Sequence, residues 1–448
     1  MKILISLFLI TVTLVADISV KRAWQSVLDK SHALKASRAD ITHARLKQES
    51  AEGLGMPSVS ITGSYTHLND PIGLDLSNIS TKVNPILVSL GAKPIPSEID
   101  FLSQDITLVD LQVLYPLYMG GKIVAAQDAH AGKSAEAKAQ YRIAKDKAFL
   151  EFISLYYGVI MTKSLYHTRI EAEKSLQIHY NFSKKLKQQG QIPEAELLHA
   201  QVQLNAAKIE TTKAKHQMHI VKSAFYKMIK QKSYPKSSLF ISKKVYSLRH
   251  YTRNSVKDYA GLEVLDAKAQ QTDALVNIEK SAWKPKVIGY ANVNLHKGSS
   301  PIEELSPSWM VGVGVKFDIF STKDRDKEIE AATVLRAKVA SLKYDAQENL
   351  KIAVQKTYNE MSLYKDEFNS LSASLSLARE NYKLRSLAFK EGLGTSAEVV
   401  EAQMFLSGAK TQRLNAIYNY VKKLSELAVL SGDKKQFFAF EKSGKRIK

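Results

Sequence analysis

Few residues of this chain are placed to do chemistry. Glu398 and Glu401 are three positions apart, which puts two carboxylates on one face of a helix. His216 and His219 have the same spacing and could present two imidazoles to a metal ion, although a solvated helix surface is the simpler interpretation. The sequence has no cysteine, no nucleophile elbow, no Walker loop and no HExxH motif. It therefore indicates neither an enzyme nor a cofactor or metal site.

The segment that carries the two glutamates repeats an earlier segment of the chain. Residues 189–208 read QGQIPEAELLHAQVQLNAAK and residues 391–410 read EGLGTSAEVVEAQMFLSGAK, and eight of the twenty positions are identical without a gap. The strand-like segments repeat in the same order, so the whole unit is duplicated. We predict a first structural repeat at 17–236, a second at 237–430 and a basic C-terminal tail at 431–448.

The N-terminus resembles an export signal. Lys2 precedes the apolar stretch Ile3–Val15, which is too short to span a bilayer, and Ala16 is a small residue suited to cleavage. We therefore predict a signal peptide at 1–16, with a retained membrane anchor as the alternative. The net charge is +20, but the lysines are spread over every long segment. With an export signal, this distribution indicates solvated helix faces and no nucleic-acid partner.

Two kinds of segment alternate along the mature chain. Long stretches with helical periodicity include 122–189 and 322–390, each about 100 Å of helix at 1.5 Å per residue. Between them, apolar and polar residues alternate as in strands with one apolar face. The predicted strands lie at about 57–68, 105–118, 285–296 and 308–320. A loop rich in Pro, Gly and Asn is predicted at 69–104, and a single helical segment at 18–52.

Four alternating strands fit a membrane β-barrel because each is long enough to cross a bilayer at a tilt. Four strands cannot close a barrel, however, and an open edge cannot lie in lipid. The sequence therefore predicts a barrel that is shared between chains, with the edge of a soluble sandwich as the alternative. We expect Val59, Ile61, Val109, Leu111, Val311 and Val313 to face lipid, and Ser60, Thr62, Gln112 and Asn292 to face the lumen.

Each of the two repeated segments is predicted to contain the turn of a helical hairpin, at about 187–196 and 389–398. Gly190 and Gly392 suit the left-handed position just past a helix end, and Pro193 suits the first turn of the next helix. Thr395 and Glu398 fit a capping box. The two tips comprise Gly190, Gln191, Ile192, Pro193, Gly392, Leu393, Gly394, Thr395, Ser396 and Ala397.

These features resemble the TolC family of outer-membrane efflux proteins. The resemblance is carried by YPLYMGGK at 115–122, KQQGQIPEAELLHAQ at 187–201 and FKEGLGTSAEVVEAQ at 389–403. It implies an α+β membrane protein built from the duplicated helix–strand–strand–hairpin unit. It further implies a homotrimer with a 12-stranded outer-membrane β-barrel continuous with a periplasmic α-helical barrel.

The function that the resemblance implies is a passive exit duct of a tripartite efflux system. Its partners would be outer-membrane lipid, a periplasmic adaptor and an inner-membrane transporter. The same duct could serve type I protein secretion or metal-ion efflux, and a periplasmic coiled-coil scaffold is a more distant alternative.

The resemblance also assigns roles to residues. The ten tip residues would contact the adaptor, and Glu398 and Glu401 would line the entrance constriction, with Glu196 as a weaker candidate. Threefold symmetry would then make an acidic ring that favours cations. Phe389 stands where the family has a tyrosine and Gly394 where it has a gate-locking arginine. These departures predict a looser closed state, or one locked by other contacts.

Overall fold

The computed structural model describes residues 17–296 and 307–447. The predicted signal peptide at 1–16 lies outside these residues, as does most of the loop between the third and fourth predicted strands. The chain divides into two compact units, each of which combines parts of both sequence repeats. The first comprises Met1–His43, Ala135–Ala267 and Ala340–Lys448, and the second comprises Ala44–Ser134 and Lys268–Val339.

Helices make up most of the described chain. They are α1 (Val20–Lys30), α2 (His32–Glu52), α3 (Ser77–Ser89), α4 (Lys122–Gln188), α5 (Glu194–Ile229), α6 (Leu248–Asp258), α7 (Ala260–Lys280), α8 (Arg325–Lys390), α9 (Ser396–Leu430) and α10 (Lys434–Ser443). Short 3₁₀ turns at Gly53–Gly55 and Ser281–Trp283 follow α2 and α7. None of the described helices combines the length and apolarity needed to cross a bilayer.

The strands form four small sheets. They are β1 (Asp17–Ile18), β2 (Ser58–His67), β3 (Ile72–Asp75), β4 (Glu98–Leu102), β5 (Asp105–Met119), β6 (Tyr234–Pro235), β7 (Phe240–Ile241), β8 (Lys286–His296), β9 (Trp309–Lys316) and β10 (Lys445–Arg446). The largest sheet is antiparallel, lies in the second unit and has the order β2-β5-β8-β9.

The register of this sheet separates the two predicted faces. Ile61 pairs with Leu111, Leu111 with Val293 and Val293 with Trp309. One position along, the row runs from Ser60 through Gln112 and Asn292 to Met310. Since paired residues share a face, the side chains predicted to face lipid lie together, and so do those predicted for the lumen. The apolar face is open: Ile61 is 68% exposed and Val311 is 71% exposed.

The duplication extends to a pair of helices in each repeat. The segment predicted at 18–52 is helical but not continuous, because the chain breaks at Ser31 into α1 of 11 residues and α2 of 21 residues. The second repeat has α6 and α7 with the same two lengths, broken at Tyr259. Ser19 and Ser247 cap α1 and α6 by accepting hydrogen bonds from the N–H groups three residues on.

The loop predicted at 69–104 is a folded insertion instead. β3 and β4 pair as an antiparallel hairpin with α3 between them. Pro85 lies inside α3, which is why the sequence resembled a loop. The fourth predicted strand, 308–320, is also shorter than expected, because β9 ends at Lys316.

The hydrophobic core of the first unit is built on α4. Phe149, Phe152, Ile153, Tyr156 and Tyr157 follow the helical spacing of three and four and are all fully buried. Their main aromatic neighbours are Trp24, Phe225, Phe240 and Phe437. A core of this size stabilises the bases of the two helical hairpins.

The segment predicted as a basic tail, 431–448, is part of that core. Its residues form α10, whose Phe437 is fully buried, and β10, which pairs antiparallel with β7. β1 at the other end of the described chain pairs parallel with β6. β6 and β7 lie on either side of the boundary between the two repeats, so the residues around this boundary pair with both ends of the described chain.

The burial of Phe437 predicts that removal of its aromatic ring strongly lowers the stability of the fold. Its ring lies 5.7 Å from that of Phe149 and 5.9 Å from that of Phe240, measured between centroids. We expect Phe437→Ala to cost about 3–5 kcal/mol, because it leaves a cavity in a packed core. Thermal unfolding of detergent-extracted protein measures this loss of stability. Lys435→Ala on the exposed side of the same helix is the control, and an equal effect of both changes would contradict the assignment.

Candidate functional site at the hairpin tips

The two hairpin turns have the same backbone geometry. Gly190 and Gly392 adopt φ values of 69° and 75°, in the left-handed region that glycine favours. After each glycine, the next N–H donates to a carbonyl five residues back: Gln191 to Leu186 and Leu393 to Ala388, both at 2.9 Å. Each turn is therefore a Schellman motif that satisfies the last carbonyls of the first helix. The predicted left-handed glycines are confirmed.

The second tip contains the predicted capping box. The Thr395 hydroxyl accepts a hydrogen bond from the Glu398 N–H at 3.3 Å, and the Glu398 carboxylate accepts one from the Thr395 N–H at 3.1 Å. A Cβ at Gly394 would lie 3.0 Å from the same carboxylate oxygen. The glycine at this position therefore leaves room for the capping carboxylate.

Arg385 is a further member of this site that sequence reasoning missed. Its guanidinium donates to the other oxygen of Glu398 at 3.1 Å, across the hairpin from α8 to α9. Both side chains are partly exposed, so the pair contributes only about 0.2–1 kcal/mol to stability. Its main consequence is electrostatic, because a positive charge now accompanies one of the two predicted entrance glutamates.

Glu401 is the less constrained of the two glutamates. It lies one helical turn after Glu398 in a groove between α8 and α9, and its side chain is exposed. Among the described residues it makes no ion pair with the rest of the chain. The residues that line the groove are Asn381, Arg385, Glu398, Glu401, Ala402 and Phe405.

Glu196 connects the first tip to the second. Its carboxylate accepts a hydrogen bond of 2.8 Å from the N–H of Ser396, the first residue of α9. The helix N-terminus carries unpaired N–H groups and a partial positive charge, so a carboxylate there is stabilising by about 0.3–1 kcal/mol. The structure thus brings Glu196 beside the second tip, but its carboxylate is bound to the backbone.

His179 supports the same contact from α4. Its Nε2 lies 2.7 Å from the hydroxyl of Ser396, and its ring packs on Phe389 with 4.7 Å between centroids. Ser396 and Phe389 are both buried. Burial, with a smaller effect from His199, lowers the pKa of His179 to about 4, so the imidazole is neutral at pH 7. Phe389 is therefore a core residue of the tips.

A second groove lies further along the hairpins, between α4, α5 and α9. Small residues line it, including Ala172, Ala207 and Gly408, and Arg169 donates to the Ser407 hydroxyl at 3.0 Å beside them. Small side chains at these positions let the helices approach closely. Of the predicted tip residues, Leu393 is the most exposed large hydrophobic one, at 84%.

Comparisons with known proteins agree with this architecture. The family model described as outer membrane efflux protein matches residues 23–229 and 261–433. A comparison with curated proteins finds no match. The solved structure of CusC superposes with a TM-score of 0.77 at 12% identity, covering 93% of this chain and 92% of that one.

Two further solved structures have similar scores. The outer membrane protein VceC of Vibrio cholerae has a TM-score of 0.74 at 14% identity, covering 93% of this chain and 96% of its own. The CmeC outer membrane channel of Campylobacter jejuni has a TM-score of 0.73 at 13% identity, with 95% and 89% covered. At these identities the likeness establishes the fold.

The low pKa of His179 predicts that acid loosens the contact between the tips. An unpacked histidine binds a proton as the pH falls below 6.5, whereas the packed one does so only near 4. The contact therefore loses stability between these pH values, by roughly 1–3 kcal/mol. Protection factors of the first-turn amides of α9 from hydrogen exchange should fall over this range.

His179→Gln, which keeps a hydrogen-bonding group but does not titrate, should abolish the pH dependence. His216→Gln, at an exposed position on α5, should leave it unchanged. If His179→Gln kept the full pH dependence, another group would be responsible.

Proposed function

The chain belongs to the outer membrane efflux protein family, and on that premise we propose that it is the exit duct of a tripartite efflux system. It is an outer-membrane protein that extends into the periplasm. The duct is passive and performs no covalent chemistry. The observation that carries the proposal is the four-stranded sheet with an exposed apolar face. Its two outer strands, β2 and β9, each have one edge with no partner among the described strands.

We propose a homotrimer, the number of copies that the family resemblance implies, because association would pair the outer strands of this sheet. Hydrocarbon offers no hydrogen-bond partner, so an unpaired strand edge is not stable in a bilayer. β2 of one copy and β9 of the next run in opposite directions and can pair antiparallel, continuing the alternation inside each chain. Three copies then give a closed barrel of 12 strands, which lies within the range of known outer-membrane barrels.

The tips are proposed to bind a periplasmic adaptor, through which an inner-membrane transporter delivers its cargo. Gly392 and Leu393 stand at the end of the second hairpin, where Leu393 makes little contact with its own chain. Exposed apolar residues at such a position are typical of interaction sites. Gln191 and Ile192 of the first tip line a groove together with Gly392 and Gly394 of the second.

The entrance is proposed to carry an acidic ring in which the two glutamates are not equivalent. Glu398 is compensated by Arg385 and is bound to its own helix cap, whereas Glu401 is exposed. Three copies of Glu401 would therefore dominate the negative potential that multivalent cations meet. Arg385 and the His179–Ser396 contact provide the other contacts that could hold the closed state in place of the family's tyrosine and arginine.

Cation block of single channels tests the ring. A trivalent cation on the periplasmic side of a planar bilayer should block the wild type, and Glu401→Gln should weaken block by about tenfold or more. Glu398→Gln should weaken it less, and Arg385→Gln should strengthen it, because each copy then gains an uncompensated carboxylate. Equal block in wild type and Glu401→Gln would remove Glu401 from the entrance.

Substitution of the second tip tests adaptor binding. Gly392→Pro is incompatible with a positive φ, and Leu393→Asp places a charge on the proposed contact. Both should abolish export, measured as survival against antibiotics and metal salts in cells that lack the wild-type gene. Leu393→Met is the conservative control and should retain export. Trimers should persist in the membrane for all three variants, and normal export by Leu393→Asp would argue against the tip contact.

A further inference from the structure

The insertion between β2 and β5 presents a helix with well-defined ends. At its start, the Ser77 N–H donates to the Asp75 carboxylate at 2.8 Å. At its end, Gly91 has φ of 72° and the Ala92 N–H donates to the Leu87 carbonyl at 2.8 Å. The first is an Asx turn just before the helix and the second is a Schellman motif at its end. α3 is therefore a stable element that presents a fixed surface.

One side of α3 is held by its own chain. The Asn84 side chain donates to the carbonyl of Ile95 at 2.9 Å and accepts from the N–H of the same residue at 2.7 Å. Ser80, one turn earlier, is buried. This pair of hydrogen bonds decides which face of the helix turns toward the returning segment and which faces away.

The face that is turned away is apolar. Ile79, Val83, Ile86 and Leu90 are spaced by four, three and four residues, and so form one stripe along the helix. At about 100° per residue, the stripe lies roughly a third of a turn from Asn84. Ile79, Ile86 and Leu90 are exposed and Val83 is half-buried. A stripe of this kind is costly to leave in water.

The spacing of the stripe favours other copies of α3 as its partner. A four–three–four repeat is the seam of a coiled coil, with Ile79 and Ile86 at d-type positions and Val83 and Leu90 at a-type positions. Isoleucine at the d-type positions favours associations of three or four helices over two. A helix of 13 residues is too short to associate alone, but three copies held at the ends of neighbouring strands have a high effective concentration. The insertion begins at the end of β2, the strand proposed to join two copies.

The lipid surface is a poorer partner for this helix. Amphipathic helices that lie in membrane interfaces usually have many Lys and Arg residues on the polar face. α3 has a single charged residue, Lys82, and its polar face consists of Ser, Thr and Asn. The low charge also removes most of the repulsion that would oppose the packing of identical helices.

We propose that the α3 helices of three copies pack on one another along the stripe Ile79, Val83, Ile86 and Leu90, forming a three-helix contact that narrows the outer mouth of the duct. The inference rests on the trimer of the proposed function. β2 begins just after α2 and β5 ends just before α4, so the insertion joins the opposite ends of these strands. This places the contact at the external end of the strands.

Disulfide trapping tests the contact because the natural chain has no cysteine. Ile86→Cys on the stripe should form disulfide-linked dimers under mild oxidation in outer membranes, since only two of three thiols can pair. Val88→Cys is the matched control: it is on the other side of the same helix, and both native side chains are 60% exposed. We expect about tenfold more dimer from Ile86→Cys, because a disulfide needs Cα atoms within about 7 Å.

The trimer is checked separately for each variant by native mass spectrometry of detergent-extracted protein. Intact trimers with no dimer from Ile86→Cys, or with equal dimer from both variants, would overturn the helix contact while leaving the duct proposal in place. Quenching of a fluorophore at position 86 by brominated lipid would assign the stripe to the membrane and also overturn it. Loss of trimers in the wild type would overturn both proposals. Ile79→Cys is a second reporter on the stripe and should behave as Ile86→Cys does.

Discussion

A β-sheet in a bilayer must pair every backbone N–H and C=O with another strand, and the sheet of this chain cannot do so by itself. β2 and β9 leave one edge each without a partner among the described strands. The apolar face excludes a location in water, and the unpaired edges exclude an isolated chain in lipid. The proposed association of three copies would satisfy these hydrogen-bonding groups, and it would enclose a lumen lined by Ser60, Gln112 and Asn292.

The hairpins have a different requirement, which is to keep two helix ends together far along the chain from their shared core. The contact of Glu196 and His179 with Ser396 does this by satisfying the first N–H and the hydroxyl of α9. The charges at the tips therefore have different tasks. Glu196 joins the two tips, Glu398 caps α9 and pairs with Arg385, and Glu401 is left to interact with ions or partners.

The regular elements could be predicted from the sequence because their periodicity is local. The strand predicted at 57–68 is β2 at Ser58–His67, and the helix predicted at 122–189 is α4 at Lys122–Gln188. The capping box is local as well. The ion pair of Arg385 with Glu398 and the bond from Ser396 to Glu196 join residues on different helices, so no sequence spacing reveals them. The prediction of a basic tail at 431–448 is wrong, because the many lysines of this segment hide the signal of its two buried aromatic residues, Phe437 and Phe440.

The most direct test of the account is a disulfide between β2 of one copy and β9 of the next. Ile61→Cys can be combined in turn with Val311→Cys, Val313→Cys and Val315→Cys, because all four positions lie on one face of the sheet. Oxidation in outer membranes should give, for one pairing, a ladder of cross-linked chains that ends at three. A ladder that continues beyond three chains, or the absence of linked chains for every pairing, would contradict a closed trimeric barrel.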